Sequence, residues 1–186
     1  MRFPFHLDRS AFDHSIQRLR DGRAGESGYG RRVALLLTIP TYDDPVARDV
    51  RRSASGDLYV VRTVWQRALD IPTPRVWRDA LAGSGVGFGV DLAVDRAPSL
   101  RSIRLDVETE IVDAMLATLA SATLTCRPHQ PEPPLDATIT ELTLGEDLHE
   151  TRFRWTDAAP PGWEPVATFA SRLMRLVDDP AYLAVR

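Results

Sequence analysis

The chain has 186 residues, 44% of them hydrophobic and 26% charged, with a formal net charge of −3 at pH 7 and a single cysteine, Cys126. That balance is the balance of an ordinary globular domain rather than a disordered chain, and no apolar run approaches the roughly 20 residues needed to span a bilayer. One cysteine excludes an internal disulfide and a cysteine metal cluster built from one copy. All 23 cations are arginine, and neither lysine nor asparagine occurs, a bias expected of a GC-rich bacterial genome. Schiff-base and P-loop lysine chemistry is thereby removed, as is a Cys-His-Asn triad. Residues Met1 to Asp8 lack the apolar core of a signal peptide, so a cytoplasmic location is the expectation.

Asp8 reads as an N-cap with Leu7 stapled to Phe12, and Phe12, Ile16 and Leu19 recur at helical spacing, which predicts a short helix over 9–20. Gly22 to Arg32 mixes glycines with arginines around Tyr29, so 22–32 reads as a mobile Arg/Gly loop. Val33 to Ile39 is an unbroken apolar run stopped by Pro40, the pattern of a strand buried on both faces. Residues 40–56, carrying Asp43, Asp44, Pro45, Arg48, Arg51 and Arg52, read as a connection. Leu58 to Trp65 is rich in β-branched and aromatic residues and reads as a strand. Arg75 to Leu81 reads as a short helix, and Gly83, Gly85, Gly87 and Gly89 as a turn feeding a strand with Val90, Leu92 and Val94.

Ile103 and Leu105 alternate with Arg104 in a further strand. Asp106 is then placed to cap a helix over 107–123 whose stripe is Val107, Ile111, Val112, Met115, Leu116 and Leu119. Residues 127–134 form a Pro-rich surface linker. Segments 137–144 and 149–155 flank Gly145-Glu146-Asp147-Leu148, and Thr151, Phe153 and Trp155 alternate with polar residues, which predicts a hairpin with one face buried. After Pro160-Pro161-Gly162, the residues Trp163, Val166, Ala170, Leu173 and Val177 mark an amphipathic helix over 163–177.

Charge is unevenly spread. Between Asp106 and Glu150 stand ten carboxylates against one cation, Arg127. A negative field over part of the surface repels nucleic acid and attracts a basic partner. The candidate binding residues are therefore Glu108, Glu110, Asp113, Glu141, Glu146, Asp147 and Glu150, with Trp155 and Trp163 as a candidate aromatic contact that also reads as core packing. Residues 83–89 offer a glycine string, but it precedes a strand instead of following one, so it does not fit a dinucleotide loop. Gly25 to Tyr29 departs from a nucleophile elbow at Tyr29. His149 beside Glu146, Asp147 and Glu150 has the donor types of a divalent-ion site, and a solvated turn explains them as well. Arg18, Arg20, Arg23, Arg31 and Arg32 with Tyr29 have the composition of an RNA contact, set against an acidic chain overall.

The expected architecture is a single α+β domain over 1–186: a mainly antiparallel sheet of about five or six strands, with two long amphipathic helices on one face. The C-terminal pattern, an alternating hairpin ending in Phe153-Arg154-Trp155 followed by a Pro-Pro-Gly-Trp turn and a helix, is similar to the tail of many small bacterial proteins, some of them proposed immunity proteins. The leading expectation is a non-enzymatic protein-binding protein of the bacterial cytoplasm, an immunity- or antitoxin-like inhibitor with an acidic surface for a basic protein. Its alternative is a small enzyme or ligand-binding domain with a site assembled from scattered residues such as His6, His149, Asp147 and Arg154. No catalytic residue, metal site or cofactor is assigned. Membrane and nucleic acid are not expected partners, and a second copy of the chain stays compatible with the pattern.

Overall fold

A computed structural model describes residues 9–21, 30–70, 97–126, 136–145 and 149–178. In chain order it contains α1 (Arg9–Asp21), β1 (Arg31–Ile39), β2 (Val46–Arg52), β3 (Leu58–Trp65), the single turn α2 (Arg67–Asp70) and β4 (Leu100–Asp106). There follow α3 (Thr109–Ala120), β5 (Ile139–Leu144), β6 (Thr151–Thr156) and α4 (Glu164–Asp178). The six strands make one sheet in the order β4-β3-β2-β1-β5-β6, and every neighbouring pair is antiparallel. The class is α+β.

Side chains alternate across the pleat, so each strand contributes to two faces. Ala34, Leu36, Val50, Val60, Leu105, Leu142 and Phe153 point to one face, where Val112, Met115 and Leu119 of α3 and Val166, Phe169, Ala170, Leu173 and Val177 of α4 join the same core. The spacing in α4 is that of a single helical stripe, and each such side chain contributes about 1.5–3 kcal/mol on burial. Leu35, Leu37, Ile39, Ala47 and Trp65 point to the opposite face, which α1 covers with Ile16 and Leu19. Phe12 packs its ring on Trp65, the centroids 5.6 Å apart. The apolar run 33–39 is apolar throughout because helices cover β1 from both sides.

Four expectations need correction. Residues 46–52 are not a connection but β2, a central strand whose Arg48, Asp49 and Arg51 are buried. Arg31 and Arg32 belong to β1 rather than to the Arg/Gly loop. The helix expected from 107 starts at Thr109, with Glu108 as an N-cap whose side chain makes no capping bond, because Asp106 still pairs with Tyr59 in the ladder. Finally, the expectation of two long helices is incomplete, since a third, α1, covers the face of the sheet opposite to α3 and α4. The readings at 22–29, 71–96 and 127–134 lie outside the described residues.

Two features lock α4. At its start, Gly162 has a φ of 87°, and a Cβ there would lie 2.1 Å from the Thr125 hydroxyl. The close approach is functional for packing, since the Trp163 indole donates to the Thr125 carbonyl at 2.7 Å. At its end, Asp178 sits where a helix dipole disfavours a carboxylate. Arg48 of β2 and Arg62 of β3 offset this, with Arg62 Nε donating to Asp178 at 2.8 Å and Arg48 Nε at 3.0 Å. Burial raises the Asp178 pKa, but the bonds from Arg48 and Arg62 outweigh it and hold the carboxyl below its ordinary value.

Gly162→Ala combines a left-handed φ with the Thr125 clash and is expected to lower stability by about 2 kcal/mol, read as a lower denaturation midpoint at unchanged m-value. The lowered Asp178 pKa means that its stabilisation is present above the ordinary value of 3.8 and is lost as pH falls through the lower folded value. Asp178→Asn is therefore expected to cost about 3 kcal/mol near neutral pH and markedly less well below the carboxylate range. Unfolding curves at the two pH extremes check this, and an equal cost at both rules the clamp out as the source.

Candidate functional site

The sequence set its acids along one run, and the fold divides them between two sides of the sheet. Glu108 and Glu110 are exposed at the start of α3, and Asp113, half-buried one turn later, pairs with Arg52 of β2. Asp106 ends β4 beside them, and the bond from Leu58 N to the Thr109 hydroxyl, 2.9 Å, brings Asp57 of the β2–β3 turn to the same corner. Ile111 stands among these acids with 42% of its surface exposed. The N-terminal turn of α3 suits them, because unsatisfied amides there favour negative charge.

Glu141 and Glu150 lie elsewhere. In β5, Glu141 and Thr143 alternate with Leu142, so they face α1 instead of α3. Glu141 is 3% exposed, and Arg20 of α1 grips it bidentately, Nε at 3.0 Å and Nη2 at 2.8 Å. Arg154 adds a third approach at 3.4 Å. Glu150 precedes β6 and lies 3.5 Å from Arg152. Strands β4 and β6 are five spacings apart, about 24 Å, so these two carboxylates do not join the α3 corner in one patch. Glu146 and Asp147 lie outside the described residues.

Beside Glu141 runs a second ionic group. Asp49 of β2 accepts Arg32 Nε at 2.9 Å and Arg51 Nε at 2.9 Å. The same Arg32 donates to the Arg20 carbonyl at 3.0 Å and to that of Asp21 at 3.3 Å, the last carbonyls of α1. Charged side chains thus hold the C-terminal end of α1 on the sheet, while Phe12, Ile16 and Leu19 hold the rest by apolar contact. Arg20 and Arg32, grouped in sequence with a basic loop, are committed to carboxylates. Where α1 and the β5–β6 side of the sheet diverge, a polar cleft of about 180 Å³ opens, lined by Arg20, Asp21, Leu35, Thr143, Glu150 and Arg152 among others.

Trp155 and Trp163 are both buried, and their rings meet edge to face at 6.4 Å, with Phe153 on Trp163 at 5.1 Å. They pack the core between β6 and α4, so they do not offer an exposed aromatic contact. His149 and Cys126 are exposed. Among the described residues no group of three or more His, Cys, Asp or Glu is placed to hold a metal ion, and His6 is not among them. No helix among them is long and apolar enough to cross a membrane.

Reading the sequence missed Asp49 and the pairing of Arg20 with Glu141. The one available signal was the opposite charges of Asp49 and Arg51 at a spacing of two, which a strand places on one face. No protein-family model matches the chain, and neither a curated protein nor a solved structure shows significant similarity to it.

The Arg20–Glu141 pair is expected to show a coupling energy of about 1–3 kcal/mol in a double-mutant cycle with Arg20→Ala and Glu141→Ala, read by denaturant unfolding. Because the pair anchors α1, each single change is also expected to raise amide exchange in α1 more than in α4, measured by hydrogen exchange.

Proposed function

We propose that this is a non-enzymatic protein-binding protein, an inhibitor of immunity or antitoxin type, whose α3 corner meets a basic partner. The observation that supports it is the exposed Ile111 in the first turn of α3 beside the exposed Glu108 and Glu110, an apolar side chain next to carboxylates. Interfaces draw their affinity from such buried apolar anchors, and opposite charge around them steers association. The acidic surface in this reading is narrower than the sequence run: Glu108, Glu110 and Asp113 serve it, while Glu141 belongs to the attachment of α1 and Glu150 to the cleft.

The test is an affinity capture of the tagged protein from lysate of its own host at low and high salt, read by mass spectrometry. The expected outcome is one basic protein retained at low salt and lost at high salt, since charge steering is screened. A Glu108→Gln, Glu110→Gln variant is expected to weaken that retention about tenfold or more, and Ile111→Ala to shorten the lifetime of the complex. Retention that ignores both salt and these substitutions defeats the proposal.

A further inference from the structure

Strand β4 ends the sheet, and among the described residues it has a neighbouring strand on one side only. Such an edge offers a row of amides and carbonyls to another chain, and proteins commonly blunt it with a bulge, a proline or a lysine. Strand β4 uses none of these: its seven residues include neither proline nor lysine, and its register with β3 runs from Leu100 to Asp106 without a shift. The hydrogen-bond phase is fixed where the strand begins. Gln66 N donates to the Ser99 carbonyl at 2.9 Å, and in an antiparallel ladder the bonded pairs recur at every second residue. Arg101, Ile103 and Leu105 therefore bond to β3, while Leu100, Ser102, Arg104 and Asp106 turn their amides and carbonyls to the outer edge.

Ile103 and Leu105 join the core under α3 and α4, so the side chains of the four outward-bonding residues share the opposite face of the sheet. There the Ser102 hydroxyl meets that of Thr63, and the Arg104 guanidinium lies over the Tyr59 ring, 3.9 Å from its centroid. Arg104 and Asp106 are each more than half exposed, so the edge presents a cation and an anion two residues apart. A second copy pairing antiparallel with this edge keeps each side chain on its own face only in registers that oppose even-numbered residues to even. A two-fold centred on Ser102 or Ile103 sets Leu100 against Arg104 or Asp106, and Arg101 against Ile103 or Leu105. One centred on Arg104 sets that cation against its own copy. Centred on Leu105, the register is matched on both faces: Arg104 meets Asp106 of the second copy twice over, Leu105 meets its own copy, and Ile103 meets Val107.

We propose that two copies of the chain join edge to edge through β4 in this register, Arg104 of each opposite Asp106 of the other, so that one sheet runs across the interface. Opposite charges directly across an antiparallel pair stabilise it, and like charges destabilise it. The other edge of the sheet does not serve the same purpose. Asp157 N donates to the Thr138 carbonyl, which fixes the phase of β6 and turns Arg152, Arg154 and Thr156 outward. The registers that overlap β6 most fully set Arg152 against Arg154, or Arg154 against its own copy. Pairing through β4 therefore closes at two copies and does not run on into a filament. The dimer stands whether or not the α3 corner meets a basic protein.

The experiment is analytical ultracentrifugation of the full chain over a concentration series, unaltered and with charges reversed. Expected is a reversible monomer–dimer equilibrium that weakens with added salt. Arg104→Asp and Asp106→Arg, both at exposed side chains, are each expected to weaken self-association about tenfold or more, because each sets like charges opposite one another. An equimolar mixture of the two variants is expected to recover the dimer, since every cross-strand charge pair in the mixed species is again opposite in sign. That recovery also shows that both variants fold. A chain that stays monomeric at every concentration, single variants that self-associate as the unaltered chain does, or a mixture no tighter than either variant alone each overturn the proposal.

Discussion

Everything in this fold turns on a charged strand placed at the centre of a sheet. Strand β2 carries Arg48, Asp49 and Arg51, each nearly inaccessible to solvent, between β1 and β3. A charge taken out of water costs several kcal/mol unless an opposite charge and hydrogen bonds meet it in good geometry. The alternation of the strand sends Arg48 to the α4 side and Asp49 with Arg51 to the α1 side. Each charge meets an opposite one: Arg48 meets Asp178 from the end of α4, while Asp49 meets Arg51 on its own strand and Arg32 from the start of β1.

This requirement makes the helices positionally specific. Apolar contact alone lets a helix slide or rotate over a sheet at small cost, because packing of about the right volume is tolerated. A bidentate pair such as Arg20 with Glu141, or the double grip of Arg48 and Arg62 on Asp178, has one good geometry. Replacing such pairs by apolar residues often leaves stability unchanged or improves it, so their physical role here is to define where α1 and α4 sit. Arg20 and Arg32 tie the end of α1 to β5 and β2.

The same division explains why the acidic run is not an acidic surface as a whole. Carboxylates at the start of α3, Glu108 and Glu110, are compatible with a helix N-terminus and are exposed to solvent. The carboxylate of Glu141, 31 residues after Glu110 in the numbering, is on the far side of the sheet and internal. Proximity along the chain carried no information about proximity in space, because β5 lies four strands from β4 in the sheet and turns Glu141 to the α1 face.

The sequence by itself determined the elements whose signal is apolar. The run Val33–Ile39 announced a strand covered on both faces, the spacing of Val166, Ala170, Leu173 and Val177 announced α4, and the alternation in 151–155 announced β6. These patterns are local consequences of which positions leave water. Only the tertiary structure decided the role of the charged residues. Arg48, Asp49 and Arg51 look like a solvated connection until Asp178 from the end of α4 meets Arg48 and Arg32 of the neighbouring strand joins Arg51 on Asp49. Hydrophobicity is a property a residue brings with it, whereas the consequence of a charge or a hydroxyl depends on what lies within about 3 Å of it, and that is set by pieces of chain far apart in sequence.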